Sequence, residues 1–385
     1  MKLKNIAMGI VVGSAAASSY AQSSLTLYGV LDVGFDYISN DHGKTNVTLS
    51  PGVLQGNRWG IKGKEDLGNG ISVIFTLENG FSLTSGALGQ GGREFGRASW
   101  IGLFSDRYGN LTIGRQYDSV VDYVQSMSSI PYTGLAHPFD NDNLDNDFRI
   151  NNSVKYSSPS YGGFRFGGLY GFSNGGAVAG DNVGFATNRV WSAGASYSFG
   201  NFNLGAGYLH VNLPNTTTTG AVSGDYINVL NTSALGPLGL ASSVRRQEVF
   251  AAGVGYQADP LSLGFVYSQS RFDSVDDRLK FNNYDVHLSY LFSPVFSVTA
   301  SYVFTDVVLE STDTKGIYHQ VQLIGDYLLS RRTDVYVLGA YQRVGAGAPV
   351  ASIAPDTFGP GGASAPDQST SKNQFLVRVA LRHKF

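Results

Sequence analysis

The chain contains no cysteine among its 385 residues, which excludes disulfide frameworks and thiolate metal sites. After the first two dozen residues no apolar run approaches 18 residues, so helical membrane spans are excluded there as well. Proline is scarce, at 12 residues, against 49 glycines, 22 tyrosines and 23 phenylalanines; that balance suits many short strands better than low-complexity disorder. An excess of one charge is also missing. With 27 basic and 29 acidic residues the formal net charge is −2, which leaves no electrostatic footprint for nucleic acid. The mean hydropathy of −0.06 is that of a soluble protein. It is equally that of a transmembrane barrel, whose residues face water and lipid in turn so that the average cancels.

What is present begins with a secretory signal. Lys2 and Lys4 form a positive start, Ile6 to Ala17 an apolar stretch, and Ser19-Tyr20-Ala21 a small-x-small cleavage site. The segment is shorter than the roughly 20 residues of a spanning helix. We expect residues 1–21 to be removed, which takes the formal charge from −2 to −4 with the two lysines, and residues 22–385 to form one domain.

That domain reads as strands joined alternately by tight turns and longer loops. Seven tight turns carry residues suited to them: Leu67 to Gly70, Asp106 to Asn110, Ser158 to Gly163, Gly200-Asn201, Ala258-Asp259-Pro260, Ser293-Pro294 and Ser330 to Thr333. Eight polar loops fall near 38–56, 82–94, 117–150, 173–188, 213–244, 273–282, 309–316 and 345–373. Fifteen connections imply sixteen strands. An even count with short turns on one side and long loops on the other is the pattern of an antiparallel transmembrane β-barrel. The strand faces agree: Phe296, Val298, Ala300, Tyr302 and Phe304 alternate with Val295, Ser297, Thr299, Ser301, Val303 and Thr305. A soluble sandwich also alternates, but the small inward residues Ser192, Gly194, Ser196, Gly253 and Gly255 would not fill its core. Aromatics gather beside the turns (Tyr197, Phe199, Phe202; Tyr290, Phe292, Phe296) as an interfacial girdle does.

The stretch from 117 to 150 is different. It is longer than ordinary connections, apolar enough to fold (Val120, Val121, Tyr123, Met127, Ile130, Leu135, Phe139, Phe148) and acidic in its second half. We expect it to fold into the lumen as a constriction. Opposite it, strand parity turns Arg58, Lys62, Lys64, Arg97, Arg149 and Lys155 inward, although Ile101 and Leu103 share the parity of Arg97 and their face is left open; Arg115 is of ambiguous direction, and Glu78 faces the lumen beside Ser72 and Thr76. The expected constriction therefore has a basic wall (Arg58, Arg97, Arg149, Arg115, Lys155) and an acidic side (Glu78, Asp118, Asp122, Asp140, Asp142, Asp145). Guanidinium groups at a narrow throat concentrate anions. The bland alternative is that these are ordinary solvated lumen charges.

Gly171 to Gly175 matches G-x-S-x-G, but no helix-forming segment follows it. The acidic run at 140–147 lacks the ligand and glycine positions of an EF-hand. No residue pattern points to an enzyme, a cofactor or a resident metal.

Taken in order, SSLTLYGVLDVGFDY, NRWGIKGKEDLGNGISVIFTLENGF, GRASWIGL, YGNLTIGRQYD, the 136–174 segment and the terminal FLVRVALRHKF resemble the Gram-negative general porins of the beta-proteobacterial type. The resemblance implies a sixteen-stranded outer-membrane barrel, a homotrimer set in lipid and lipopolysaccharide, with an inward third loop and a channel for small ions and hydrophilic solutes. It implies a basic cluster at Arg58, Arg97 and Arg149, with Glu78 and third-loop carboxylates near it, and a role for Phe385 as the terminal aromatic read by the assembly machinery. The Pro-Glu-Phe-Phe-Gly-like motif common in that loop is absent. The function expected is passive diffusion with an anion preference; a solute-specific channel and an adhesin displaying the long loops are the alternatives.

Overall fold

A sheet of strands with one apolar and one polar face presents unpaired edges until it closes, and in lipid only closure satisfies every backbone group. The computed structural model describes residues 23–146, 148–174, 187–214, 219–223, 226, 235–353 and 369–385, and in it the sheet closes. The strand segments are β1 (Ser24–Asp41), β2 (Lys44–Pro51), β3 (Arg58–Gly68), β4 (Ile71–Gly80), β5 (Ala98–Ser105), β6 (Gly109–Gln116), β7 (Ile150–Ser157), β8 (Phe164–Gly171), β9 (Arg189–Phe199), β10 (Phe202–Asn212), β11 (Arg246–Ala258), β12 (Leu261–Asp273), β13 (Arg278–Ser293), β14 (Phe296–Leu309), β15 (Thr314–Leu328), β16 (Thr333–Ala346) and β17 (Asn373–Lys384). From β3 to β17 each pairs antiparallel with the next, and β17 pairs with β1. One half of β1 pairs with β3 and the other with β2. β2 and β3 are thus one barrel strand interrupted at 52–57, and the barrel has sixteen strands. Phe385 completes the seam: its N–H donates to the Gly29 carbonyl and the Gly29 N–H to its own, at 3.1 and 3.0 Å. Its ring lies where a Gly29 side chain would be.

All seven expected tight turns join strands. Three of the expected loops do not exist as such. In place of 38–56 stands a hairpin, β1–β2, followed by the interruption at 52–57; in place of 273–282 and 309–316 stand hairpins that extend β12, β13, β14 and β15. Polar residues such as Asp273, Arg278 and Glu310 are strand ends above the lipid rather than loops, because cross-strand pairs such as Arg278 Nε to Asp273 Oδ1 at 2.6 Å satisfy them. The cleavage segment 1–21, Asp147 and Gly175 lie outside the described residues.

Outward residues are apolar and exposed: Leu25, Leu27, Phe35, Ile101, Leu103, Ile113, Val321, Leu323, Val337 and Val379 among them. This settles the faces of Ile101 and Leu103. Rings gather at the tight-turn end, where Tyr197, Phe199, Phe202 and Tyr256 contact one another in series at 5.0–5.5 Å.

The lumen is not uniformly hollow. The third loop, 117–149, runs along the inner faces of β9 to β13 and carries helix α1 (Ser119–Val124). The wall beneath it is built from glycine. A Cβ on Gly205 would stand 2.0 Å from the Tyr123 carbonyl oxygen, one on Gly264 2.3 Å from the Met127 carbonyl oxygen, one on Gly194 2.5 Å from the Tyr123 ring and one on Gly207 2.9 Å from the Val120 Cα. Side chains at these positions would occupy the space the loop backbone needs. Around this trough Val120, Val124, Met127, Ile130 and Leu144 bury against inward Val190, Leu209, Val211, Val249 and Val266. Each such burial is worth about 1.5–3 kcal/mol. Segments 235–244 and 348–353 fill the next sector with Leu235, Leu238, Leu240, Val244, Ala348 and Ala351, joined by Phe139 of the third loop. The open space remaining in the lumen lies along β3 to β9.

The trough predicts that Gly205→Leu displaces the third loop. Overpacking of this kind removes about 1–3 kcal/mol of stability; heat denaturation should show a lowered midpoint and single-channel recording an altered conductance, whereas unchanged values for both would mean the loop does not rest on Gly205.

Candidate functional site

Two cavities meet in the open sector. One, of about 220 Å³, lies on the external side and is lined by Leu54, Arg58, Arg97, Tyr117, Asp145 and Arg149. The other, of about 470 Å³, lies toward the tight turns and is lined by Arg58, Glu78, Trp100, Tyr117, Lys155 and Arg165. Arg58 and Tyr117 line both and so stand at the junction.

The elements place these groups for local reasons. Arg58 opens β3 directly after the interruption, whose Val53 and Leu54 pack on Leu135 and Ile353 inside the barrel. Arg97 sits one residue before β5, outside the ladder; freed from alternation, it turns inward although Ile101 and Leu103, of the same parity, face lipid. Its Nε donates to Glu78 Oε1 at 2.8 Å and an Nη to the Tyr117 hydroxyl at 3.2 Å. Glu78 also accepts from the Tyr28 hydroxyl at 2.9 Å. The Arg149 guanidinium lies over the Tyr117 ring at 5.4 Å. Lys155 donates to Asp122 Oδ2 at 2.7 Å and to the Tyr117 carbonyl at 3.1 Å.

Several expected constriction residues are elsewhere. Arg115 follows Gly114, whose φ of +140° accompanies a shift in register. Its Nε donates to the Gly96 carbonyl at 2.8 Å and Nη1 to the Arg149 carbonyl at 3.1 Å. It lines a separate groove with Phe95, Ser99 and Ile113, and it ties the end of the second loop to the end of the third. Asp118 is the N-cap of α1, accepting from Val120 N at 2.7 Å and from Asn143 Nδ2 at 2.9 Å; burial pushes its carboxyl up to about 6. Asp140 is buried within the loop and accepts from the Asp145 N–H at 3.0 Å. Asp142 is fully buried against the wall. Sequence parity could not reveal these roles, because loop carboxylates obey no alternation and cap or anchor according to local geometry.

Asp142 belongs to an anchor. His137 Nδ1 lies 2.7 Å from Asp142 Oδ2 and Nε2 3.3 Å from Asp285 Oδ2 on β13, all three side chains having no exposure. Ser268 Oγ donates to Asp142, and Ser129 N donates to Asp285 at 2.7 Å. Burial alone would lower the imidazole's pKa, but the Asp142 charge and the bonds to both carboxylates raise it well above the ordinary value. Burial would raise Asp142, and His137 with the Ser268 bond lowers it instead. The imidazolium is therefore held between carboxylates across the neutral range.

At the throat Asp145 is the loop carboxylate that remains. Burial and then Asp140 raise it well above the usual carboxylate range, against the pull of Arg149 and Arg97. Tyr117, which burial would raise, is brought below its ordinary value by Arg97 and Arg149. Arg165, which strand parity had not singled out, completes the lower cavity; its signal was an arginine between two outward phenylalanines, Phe164 and Phe166.

With this geometry in view, the comparisons are decisive: residues 7–347 match the sequence profile of the Gram-negative porins. The chain belongs to that family. It is 32% identical to an outer membrane porin of Bordetella pertussis, over 89% of this chain and 94% of that one. Its fold is similar to that of an anion-selective porin from Comamonas acidovorans, with a TM-score of 0.74 and 22% identity over 94% of this chain and 100% of the other. It is also similar to a trimer form of an outer membrane protein of Vibrio cholerae, with a TM-score of 0.65 and 14% identity over 94% and 99%. The porin is a channel of the Gram-negative outer membrane, with a barrel of sixteen strands, and families of this fold are channels rather than enzymes. Among the described residues no group of three or more metal-ligating side chains is assembled.

Two predictions follow from these charges. Replacing His137 by Phe leaves Asp142 and Asp285 facing each other without a cation, so thermal stability should fall by the equivalent of about 3–5 kcal/mol. The clamp's contribution, present at neutral pH, should be lost as pH rises through the raised imidazole pKa and again as it falls through the depressed one of Asp142; a variant as stable as the wild type would sink the clamp. Separately, because Asp145 keeps its proton to higher pH than an ordinary carboxyl, raising pH above the ordinary carboxylate range adds negative charge at the throat. Reversal potentials under a salt gradient should move toward the cation side over that rise, and Asp145→Asn should abolish most of the movement.

Proposed function

We propose that the porin is a passive diffusion channel for ions and small hydrophilic solutes with a preference for anions. The observation that carries this reading is Arg58 at the junction of the two cavities, with Arg97 and Arg149 beside it, while of the described third-loop carboxylates Asp122 is paired with Lys155 and Asp145 has its carboxyl pKa raised. Cations in a narrow throat between low-dielectric walls raise the local concentration of anions. The likeness to the Comamonas acidovorans anion-selective porin supports the same reading.

The working unit is a homotrimer. β5 to β8 have only eight residues each, fewer than the roughly 9–11 that a tilted strand needs to cross the hydrocarbon, and neighbouring subunits would cover this low side of the wall. Residues 1–21 direct export, and Phe385, packed at the seam, is the assembly signal. Above the aromatic belt, paired charges on the outer face such as Arg246 with Asp273 and Arg271 with Glu248 lie at the level of lipopolysaccharide headgroups.

The test is the zero-current potential of single channels under a salt gradient. Arg58→Ser should reduce anion preference by about threefold in permeability ratio, the worth of one unit charge at about 6 Å in water, and Arg97→Ser, which frees Glu78 to claim Arg58, by a similar amount. Replacing Arg58, Arg97 and Arg149 together should remove most of the preference. Unchanged selectivity in the triple variant would place the filter elsewhere.

A further inference from the structure

Two arginines of the open sector are uncommitted. Among the described residues Arg58 and Arg165 make no hydrogen bond or ion pair, whereas Arg97 is bound to Glu78 and Lys155 to Asp122. Lys62 and Lys64, on the same wall, lie over the rings of Tyr28 and Phe104 at 5.4 and 4.4 Å. The two free guanidinium groups line the same cavity of about 470 Å³ at different heights. Arg58 pairs across the sheet with Val30 and Gly80 and stands where the cavity meets the throat. Arg165 pairs with Ser196 and is the second residue of β8, next to the turn that Tyr161 and Phe164 close. Both carboxylates that line the cavity, Glu78 and Asp122, are already neutralised by partners. Thr76, Asn110, Gln116 and Ser157 supply neutral donors and acceptors between the two arginines.

We propose that this cavity is a binding site for solutes carrying two anionic groups, short dicarboxylates foremost, with one group on Arg58 and the other on Arg165. The planar fork of each guanidinium matches a carboxylate through two parallel hydrogen bonds. A monoanion engages one arginine and leaves the other facing water, so a solute that spans both is selected by charge number and by length. Such a site slows a dianion in passage and makes its flux saturable, while chloride passes without spanning it. This deepens the anion-channel reading and rests on it.

The experiment is single-channel conductance in potassium chloride with added sodium acetate, malonate, succinate or glutarate on the Arg165 side. Succinate or one of its neighbours in length should reduce chloride current saturably, and acetate at equal concentration should not. Arg165→Ser should raise the half-blocking concentration about tenfold, the loss of one charge-assisted contact, and should lower the chloride preference by no more than the change of about threefold expected for Arg58→Ser. Arg165→Lys, which keeps the charge and loses the fork, should fall between. Arg165 is exposed in the lumen, and an open-channel conductance in potassium chloride alone reports that each variant has folded and inserted. Equal block by acetate and succinate in the wild type, or undiminished succinate block in Arg165→Ser, overturns the site while leaving the anion channel standing. A wild-type channel without anion preference overturns the reading on which the site rests.

Discussion

The seat of the third loop on the wall is the constraint from which the rest of the interior follows. A helix turn can lie flat on a strand only where nothing projects from that strand, and Gly194, Gly205, Gly207 and Gly264 supply such a surface under Ser119 to Met127. Once the loop lies there, its Val120, Val124 and Met127 require apolar partners, and the wall provides inward Leu209, Val249 and Val266. The barrel thereby has a packed interior on one side and a lipid-facing exterior, with the backbone ladder between two apolar environments. Arg378, a fully buried charge of the interior, is paired as burial demands: it reaches Asp32, Asp36, Ser50 and Tyr336.

The same seat decides where solutes pass. Filling the sector over β9 to β16 with the third loop and with 235–244 and 348–353 confines open space to β3 through β9, where the uncompensated cations stand. The His137 anchor fixes the loop on the far side of this space, so that the loop's carboxylates divide into two populations. Asp118 and Asp142 hold the fold, as cap and anchor; Asp122 and Asp145 face the cavities. The sequence alone assigns five loop carboxylates to the passage (Asp118, Asp122, Asp140, Asp142 and Asp145), and among the described residues two of them, Asp122 and Asp145, line it.

Much of this architecture was legible in the chain because its signals are local. Turn residues mark each hairpin at the tight-turn end, and period-two alternation names the face of nearly every strand residue. Legibility fails where alternation is interrupted. Arg97 precedes its strand and turns inward against its parity; Arg115 sits at a shifted register and leaves the lumen; Val53 and Leu54 break a strand in two so as to fill space beside Leu135. At 273–282 and 309–316 polar composition imitated loops, because cross-strand ion pairs let charged residues continue a ladder beyond the membrane. The inward glycines were visible as residues too small for a core, but what they accommodate depends on a segment about seventy or more residues away in sequence.

Selectivity then depends on which charges are already spent. Arg97 and Glu78 neutralise each other, and the Tyr28 hydroxyl holds the carboxylate in place; this pair contributes geometry more than field, since a pair at hydrogen-bonding distance is a dipole whose potential falls faster than that of a charge. By occupying Glu78, however, Arg97 removes the group that would otherwise have claimed Arg58. The fixed pair is therefore what leaves a free guanidinium at the junction of the cavities. An arginine-to-serine change at 97 removes one cation and releases a carboxylate that claims another, so its effect on the field matches that of the same change at 58, which involves no such rearrangement.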